Sequence, residues 1–477
     1  MEKYFSIKIL IIFFMILNSS KEEEKIRWAF EIFRHGARSP YSGMTSDFKD
    51  CFGYQWNGIK ELTGVGLRQH FLVGYRNRMK YINETKLINS EYDPREVYLI
   101  STDSNRTIMS ANAQVQGFYL PGTGPTLSEE QAEIAIPPVE KDVFDKEKEK
   151  LDNDSYTVLP NRINIMPIHN FFVKEHFIQL QDKKNCPKSS IIYEKNQKRE
   201  EVVKFLKEMQ EKYGKNLVNI LKNGDDENAL TNYTKAYYIF DTIITEYTEG
   251  LDEFEYITGN LSVSAEELLN DSFKFFDYDL IGNGIDNDTE LCLHAMSPIF
   301  DRLLKWMDLK IEFDKTNENY IGYDLPKFVM FSAHDSTCGA FMGFMKAVFG
   351  TDIKYPFFAT NINLELIKKG EVSEEKYYVR YIINDEDIRE FEYNDFAKTI
   401  RNNLKSTEEI NLFCGFVEEE EKIKKKSSHV YLVVNIILSV LSILLIIAIL
   451  LTIKKKKSES SPIDIEKAEP LNQFNEA

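Results

Sequence analysis

Ile26-Arg27-Trp28-Ala29-Phe30-Glu31-Ile32-Phe33 runs straight into Arg34-His35-Gly36-Ala37-Arg38-Ser39-Pro40, and this junction decides the fold class. Ile26, Trp28, Phe30 and Ile32 alternate at strand period, so the first segment reads as a buried β-strand. It delivers two arginines and a histidine at its carboxyl end. Open α/β sheets bind ligands there, because the crevice outside the strand ends is the one concave region the topology leaves uncovered. Gly36 permits a sharp turn and a close approach of backbone to ligand. Arg34 and Arg38 offer planar forks that match phosphate oxygens and stay charged at any biological pH. His35 is a candidate nucleophile, since a neutral imidazole nitrogen can attack phosphorus and hold the group covalently.

The same arrangement recurs twice. Val97-Tyr98-Leu99-Ile100-Ser101 is a short apolar strand followed by Thr102-Asp103-Ser104-Asn105-Arg106-Thr107 and a helical stretch to about Tyr119. Ser, Thr and Asp cap such a helix, and Arg106 then falls in its first turn, where amides and dipole already favour an anion. Phe328-Val329-Met330-Phe331-Ser332-Ala333 is a third apolar strand, ending in His334-Asp335-Ser336-Thr337. Between the first two lies the glycine-bounded Leu62-Thr63-Gly64-Val65-Gly66, opening a helix that carries His70, read as a surface or supporting histidine rather than a catalytic one. Residues 361–368 and 377–384 read as a hairpin.

Arg34-His35-Gly36 with Arg38 and Pro40 resembles the signature of the histidine acid phosphatases. Ser101-Thr102-Asp103 with Arg106, Thr107 and Ser110, and then His334-Asp335, resemble that family's second and third motifs in order. The resemblance covers residues 26–415 and is loose between 141 and 290. It implies an α/β fold with a mainly parallel central sheet flanked by helices, an inserted mainly helical cap, and one C-terminal transmembrane helix. It also implies a disulfide from Cys186 to Cys414, which spacing alone does not show.

The expected organisation is a signal peptide at 1–20, core at 21–140, a helical cap at 141–290, and core again at 291–415. A juxtamembrane stalk at 416–429, a span at 430–453 and a cytoplasmic tail at 454–477 complete it. The expected leader rests on Lys3 and Lys8 before an apolar run at 9–17. Residues 430–453 carry no charge, and at 1.5 Å per residue they reach about 36 Å, enough for a hydrocarbon core of roughly 30 Å. Lysines flank both sides of that span, so the leader, not the charges, sets the orientation with the bulk of the chain translocated. Seven sequons, at Asn83, Asn105, Asn153, Asn232, Asn260, Asn270 and Asn287, suit a translocated surface. A formal net charge of −17 argues against nucleic acid as partner.

By resemblance, Arg34, Arg38, Arg106 and His334 bind the phosphate, His35 takes the phosphoryl group and Asp335 protonates the departing oxygen. No metal or cofactor is called for. The expected activity is acid phosphatase action on small phosphate monoesters; a phytase or related phosphohydrolase, or an idle surface receptor on the same fold, are the alternatives. Lysosome or endosome and cell surface are both open as destinations, as is a homodimer.

Overall fold

Trp28 to Arg34 are buried without exception, and a strand covered on both faces belongs in the interior of a sheet rather than at its edge. The computed structural model describes residues 24–41, 55–135, 157–170, 186–220, 228–251, 259, 261, 263–282, 289–316, 325–370 and 376–458. The expected leader at 1–20 and the tail beyond 458 lie outside the described residues, as do parts of the expected cap. Seven strands form one sheet: β1 (Lys25–Arg34), β2 (Val97–Ser101), β3 (Ile168–Asn170), β4 (Phe328–Ala333), β5 (Asn361–Lys369), β6 (Lys376–Ile383) and β7 (Glu386–Glu392). Their order is β3-β2-β4-β1-β5-β6-β7, with β1 central.

The sheet is mixed, where the sequence reading expects it mainly parallel. β1, β4, β2 and β3 pair in parallel, whereas β5, β6 and β7 add to β1 antiparallel. The reason is local. The expected hairpin forms and docks on β1, and Asn384 and Asp385 at positive φ then turn the chain tightly into a further strand; such turns suit the right-handed twist of paired strands. β3 also comes from inside the stretch expected to be helical and pairs with β2.

The two faces of β1 are covered by different helices: α1 (Gly64–Asn77) and α2 (Asn105–Phe118) on one side, α7 (Thr289–Thr316) and α8 (Asp335–Phe349) on the other. Ala29 and Phe33 share one apolar cluster with Ala111, Val115 and Phe118. Trp28 meets Trp306 at 6.2 Å and Phe30 meets Phe341 at 5.8 Å between ring centroids. Four further helices, α3 (Pro187–Asn196), α4 (Glu200–Ile220), α5 (Tyr233–Glu249) and α6 (Ala265–Gly282), lie within residues 141–290, the stretch expected to form a cap. Rings fill their interior, with Phe240 on Phe275 at 4.9 Å and Phe205 on Tyr278 at 4.5 Å.

Cys186 and Cys414 form the disulfide that the resemblance implies. It ties the start of α3 to the end of the helix Thr407–Cys414. The chain to Cys414 makes one compact unit, and Gly415–Ala477 a second. The second unit contains one long helix, Phe416–Ser458, in which Val434–Lys455 has a mean hydropathy of 3.2 and is long and apolar enough to cross a membrane.

α1 and α2 touch backbone to backbone. A Cβ added at Gly74 would stand 2.0 Å from the Gln114 carbonyl oxygen, and one at Gly117 would stand 2.0 Å from that of Phe71. Neither obstacle is a side chain that could swing away. Gly74→Ala is therefore expected to cost about 1–3 kcal/mol by overpacking, read as a lower denaturant midpoint at unchanged slope. An unchanged midpoint would mean that the helices can separate freely.

Candidate active site

Strand register brings the three motifs to one edge. Arg34 of β1 pairs with Ala333 of β4, and Ser101 of β2 with Ser332. His35, Thr102 and His334 therefore leave their strands side by side. The level is locked by His35 N–H donating to Ala333 O at 3.0 Å and Thr102 N–H donating to Ser332 O at 3.1 Å. The helices hold the turn that follows: Gly36 N–H donates to Ser110 Oγ at 3.1 Å and Ala37 N–H to Gln69 Oε1 at 2.8 Å. A Cβ at Gly36 would stand 2.4 Å from Gly66 O, so glycine alone lets this turn lie against the start of α1.

His35 is buried, with Nδ1 2.9 Å from Gly36 O. A carbonyl oxygen can only accept, so Nδ1 carries the proton and Nε2 keeps the lone pair. Burial first, then Arg34 and Arg106, hold its pKa well below the ordinary imidazole value. The ring stays neutral in acid, where a free histidine would be protonated and unable to attack.

Arg34 Nη2 pairs with Asp335 Oδ2 at 2.8 Å and Nη1 donates to Pro356 O at 2.9 Å. Its guanidinium also lies 4.5 Å from the centre of the Phe358 ring. Arg38 gives Nη1 and Nη2 to Asp241 of α5 at 3.1 and 2.8 Å. Arg106, in the first turn of α2, donates from Nη2 to His334 Nδ1 at 3.2 Å. Among the described residues, the buried Nε–H groups of Arg34 and Arg106 have no hydrogen-bond partner. Charged donors left in this way are costly, and they are the donor set an oxyanion would satisfy.

His334 faces Arg106 in this ligand-free structure. Nδ1 accepts from Arg106, so Nε2 carries the proton and donates it to Thr102 Oγ1 at 3.0 Å. Burial, then Arg106, lower its pKa to about 3. Both ring nitrogens are thus engaged, and in this structure His334 orients Arg106 rather than offering a free N–H to a ligand.

Asp335 opens α8. Its Oδ1 accepts from Ser336 N–H at 2.7 Å, and Oδ2 accepts from the Tyr355 hydroxyl at 3.0 Å as well as from Arg34. Burial pushes its pKa up, but Arg34 and Arg38 outweigh that and hold it well below the usual carboxylate range. A quarter of its side-chain surface, 24%, is exposed, so a ligand can reach it. The resting carboxyl is an anion, which is the wrong form for an acid catalyst until something draws Arg34 away.

Several participants escape the sequence reading. Asp241 and Tyr355 belong to no recognised motif. Of the two parts expected for it, His70 takes the supporting one: it is fully buried, with Nε2 3.0 Å from Arg34 O and Nδ1 3.0 Å from Gln114 Oε1. Gln114 in turn donates to Glu31 Oε2 at 2.6 Å. Burial raises the Glu31 pKa to about 7 against the hydrogen bonds of Asn77, Asn361 and Gln114. This chain of polar groups supports the Arg34 peptide from behind. A cleft of about 910 Å³ lined by Trp306, Phe331 and Leu404 lies elsewhere and holds none of these side chains.

The family model described as "Histidine phosphatase superfamily (branch 2)" matches residues 25–384. The chain is 34% identical over 122 residues to the lysosomal acid phosphatase of Xenopus laevis, covering 25% of this chain and 27% of that protein. It is 32% identical over 117 residues to the human prostatic acid phosphatase, covering 24% and 29%. These matches span under a third of the relatives' own length. Among solved structures it resembles a Klebsiella phytase, at TM-score 0.53, 10% identity, and 80% and 97% coverage. A Citrobacter braakii phytase matches at TM-score 0.51, 12% identity, and 80% and 98% coverage. At such identities the likeness is one of fold.

An oxyanion that takes Arg34 from Asp335 should make the carboxyl bind a proton, because it removes a cation and sets negative charge beside it. Sulfate at pH about 5 brings no proton of its own. Calorimetry in two buffers of different ionisation enthalpy is expected to show about one proton taken up per sulfate bound, and clearly less in Asp335→Asn. Sulfate binding without proton uptake would mean that the Arg34 to Asp335 pair persists in the complex.

Proposed function

Because the chain belongs to the histidine phosphatase superfamily (branch 2), we propose that it is an acid phosphatase that hydrolyses phosphate monoesters through a phosphohistidine at His35. One observation carries the reading: a buried imidazole, kept neutral and fixed as the Nδ1–H tautomer by Gly36 O, lies in a crevice that also holds Arg34, Arg38 and Arg106. The acid phosphatases among its relatives support it.

The ester arrives at acid pH mostly with one proton, since the second pKa of a phosphate monoester is about 6. Arg34 leaves Asp335 for the phosphate, and Asp335 takes up that proton. His35 Nε2 attacks phosphorus, the phosphorus to ester-oxygen bond breaks, and the proton on Asp335 passes to the leaving oxygen. The three guanidinium groups stabilise the charge that spreads over the other oxygens. Asp335, again a carboxylate, then accepts a proton from water as its oxygen attacks phosphorus, and the bond to His35 breaks. The acid preference follows from the need for a proton on Asp335 together with an imidazole that stays neutral.

The phytase alternative gains no support beyond fold. Near the site, Tyr237, Asp241 and Phe276 of α5 and α6 are not basic, and Lys60, over the Tyr41 ring that Arg38 also faces, adds one cation; a polyanionic substrate calls for more. The idle-receptor alternative is opposed by the convergence of all six expected residues. The leader and the apolar helix at Val434–Lys455 support a single-pass protein with the phosphatase unit lumenal or extracellular. Lysosome and endosome on one hand, and cell surface on the other, are distinguished by microscopy of the tagged chain, and a homodimer by sedimentation.

His35→Ala in the purified full-length protein is expected to lower phosphatase turnover by about 10⁴-fold or more, with the thermal midpoint nearly kept. Acid-quenched wild type should hold label from a phosphate ester on His35. Label on another residue, or an active mutant, would remove the covalent mechanism.

A further inference from the structure

Asp241 lies on α5 beside the buried Phe240, Thr242, Ile243 and Ile244, and is itself only 3% exposed. Both of its oxygens are directed at the first motif. Oδ1 accepts from Arg38 Nη2 at 2.8 Å; Oδ2 accepts from Arg38 Nη1 at 3.1 Å and from Tyr41 N–H at 2.7 Å. Arg38 Nη1 also donates to Ser39 O at 3.0 Å. The inserted helices thus hold one of the three phosphate-directed arginines by a two-point ion pair.

Charge explains what such a pair is for. Arg34, Arg38 and Arg106 bring three positive charges, and His35 and His334 bring none. Asp335 and Asp241 each neutralise one arginine in the ligand-free protein. Once substrate has protonated Asp335, only Asp241 opposes the arginines, leaving two positive charges to face the two negative charges of a bound phosphoryl dianion. Without Asp241 the clamp would carry one charge in excess.

We infer that Asp241 is a positioning residue that aims Arg38 and tempers the clamp, so that phosphate is held firmly enough to react and loosely enough to leave. The inference rests on the phosphatase reading. An enzyme whose product is the ion its site is built to grip must limit that grip, because affinity shared equally by product and transition state does not raise turnover. The Arg38 to Asp241 pair also makes the insertion part of the catalytic site rather than only a lid above it.

The test is Asp241→Asn in the full-length protein, which keeps an oxygen for Arg38 and Tyr41 and removes the charge. Removing a unit charge at this range should strengthen binding of inorganic phosphate about tenfold, measured by calorimetry at pH about 5. kcat and KM are expected to fall together, and phosphate should raise the thermal midpoint of the mutant more than that of wild type. A residue that merely holds the fold gives the opposite: weaker phosphate binding and a higher KM. Asp241→Ser, scored the same way, guards against an effect peculiar to asparagine. Phosphate binding unchanged or weakened in both variants overturns the inference, as does failure of both to fold, which would make Asp241 an anchor only. If wild type neither binds phosphate nor turns over an ester, the phosphatase reading itself falls. If wild type does both and neither variant binds phosphate more tightly, only the inference falls.

Discussion

Three guanidinium cations gathered in one crevice repel one another, and this protein answers the repulsion with carboxylates, one buried and one partly exposed, rather than with distance. Arg34 is held by Asp335 and Arg38 by Asp241, while Arg106 leans on the neutral His334. Burial first, and then the same field, keep His35 unprotonated. In a low-dielectric pocket a nearby cation can shift an imidazole by more than one unit of pKa, so the arginines that would grip a phosphate also keep the nucleophile usable in acid. Binding and activation are two effects of one charge distribution.

The sheet makes that distribution possible. Parallel pairing of β1, β4 and β2 puts the ends of three strands level, and each end contributes a different part: the loop with His35, the first turn of α2 with Arg106, the first turn of α8 with Asp335. The glycine contact between α1 and α2 sets how near Ser110 and Gln69 come to the first turn. Beneath it, His70, Gln114 and Glu31 link the Arg34 carbonyl to the middle of β1. Buried polar groups joined in this way resist repacking, since a missing partner leaves the next one unsatisfied.

What could be read in advance was what depends on local pattern. The apolar runs at 97–101 and 328–333 emerge as strands with the expected limits, and the hairpin at 361–384 forms. The six motif residues meet because each lies at a strand's carboxyl end or within five residues beyond it, so fold class already implies their proximity. What escaped depends on distant partners. Asp241 is separated from Arg38 by 203 positions, and its one local signal is a carboxylate among Phe240, Ile243 and Ile244 on a helix face that is otherwise core. Glu31 is similar, an acid between Phe30 and Ile32 whose partners Asn77, Gln114 and Asn361 come from three elements. β3 has three residues and β7 is mostly exposed, so neither shows the apolar run by which strands are recognised. The pairing of Cys186 with Cys414 came from resemblance, because spacing leaves every pairing possible.

The central claim is that Asp335 changes from an ion-paired carboxylate to the acid that protonates the departing oxygen. Its contribution should depend on how much the leaving group needs that proton. The most direct measurement is the single-turnover rate of phosphoenzyme formation in Asp335→Asn, with an alkyl phosphate and a nitrophenyl phosphate compared against wild type. The account predicts that the alkyl ester loses about 10² to 10⁴-fold, the usual contribution of a general acid, while the nitrophenyl ester loses much less. Equal losses for the two esters would contradict it and reduce Asp335 to a counter-ion for Arg34.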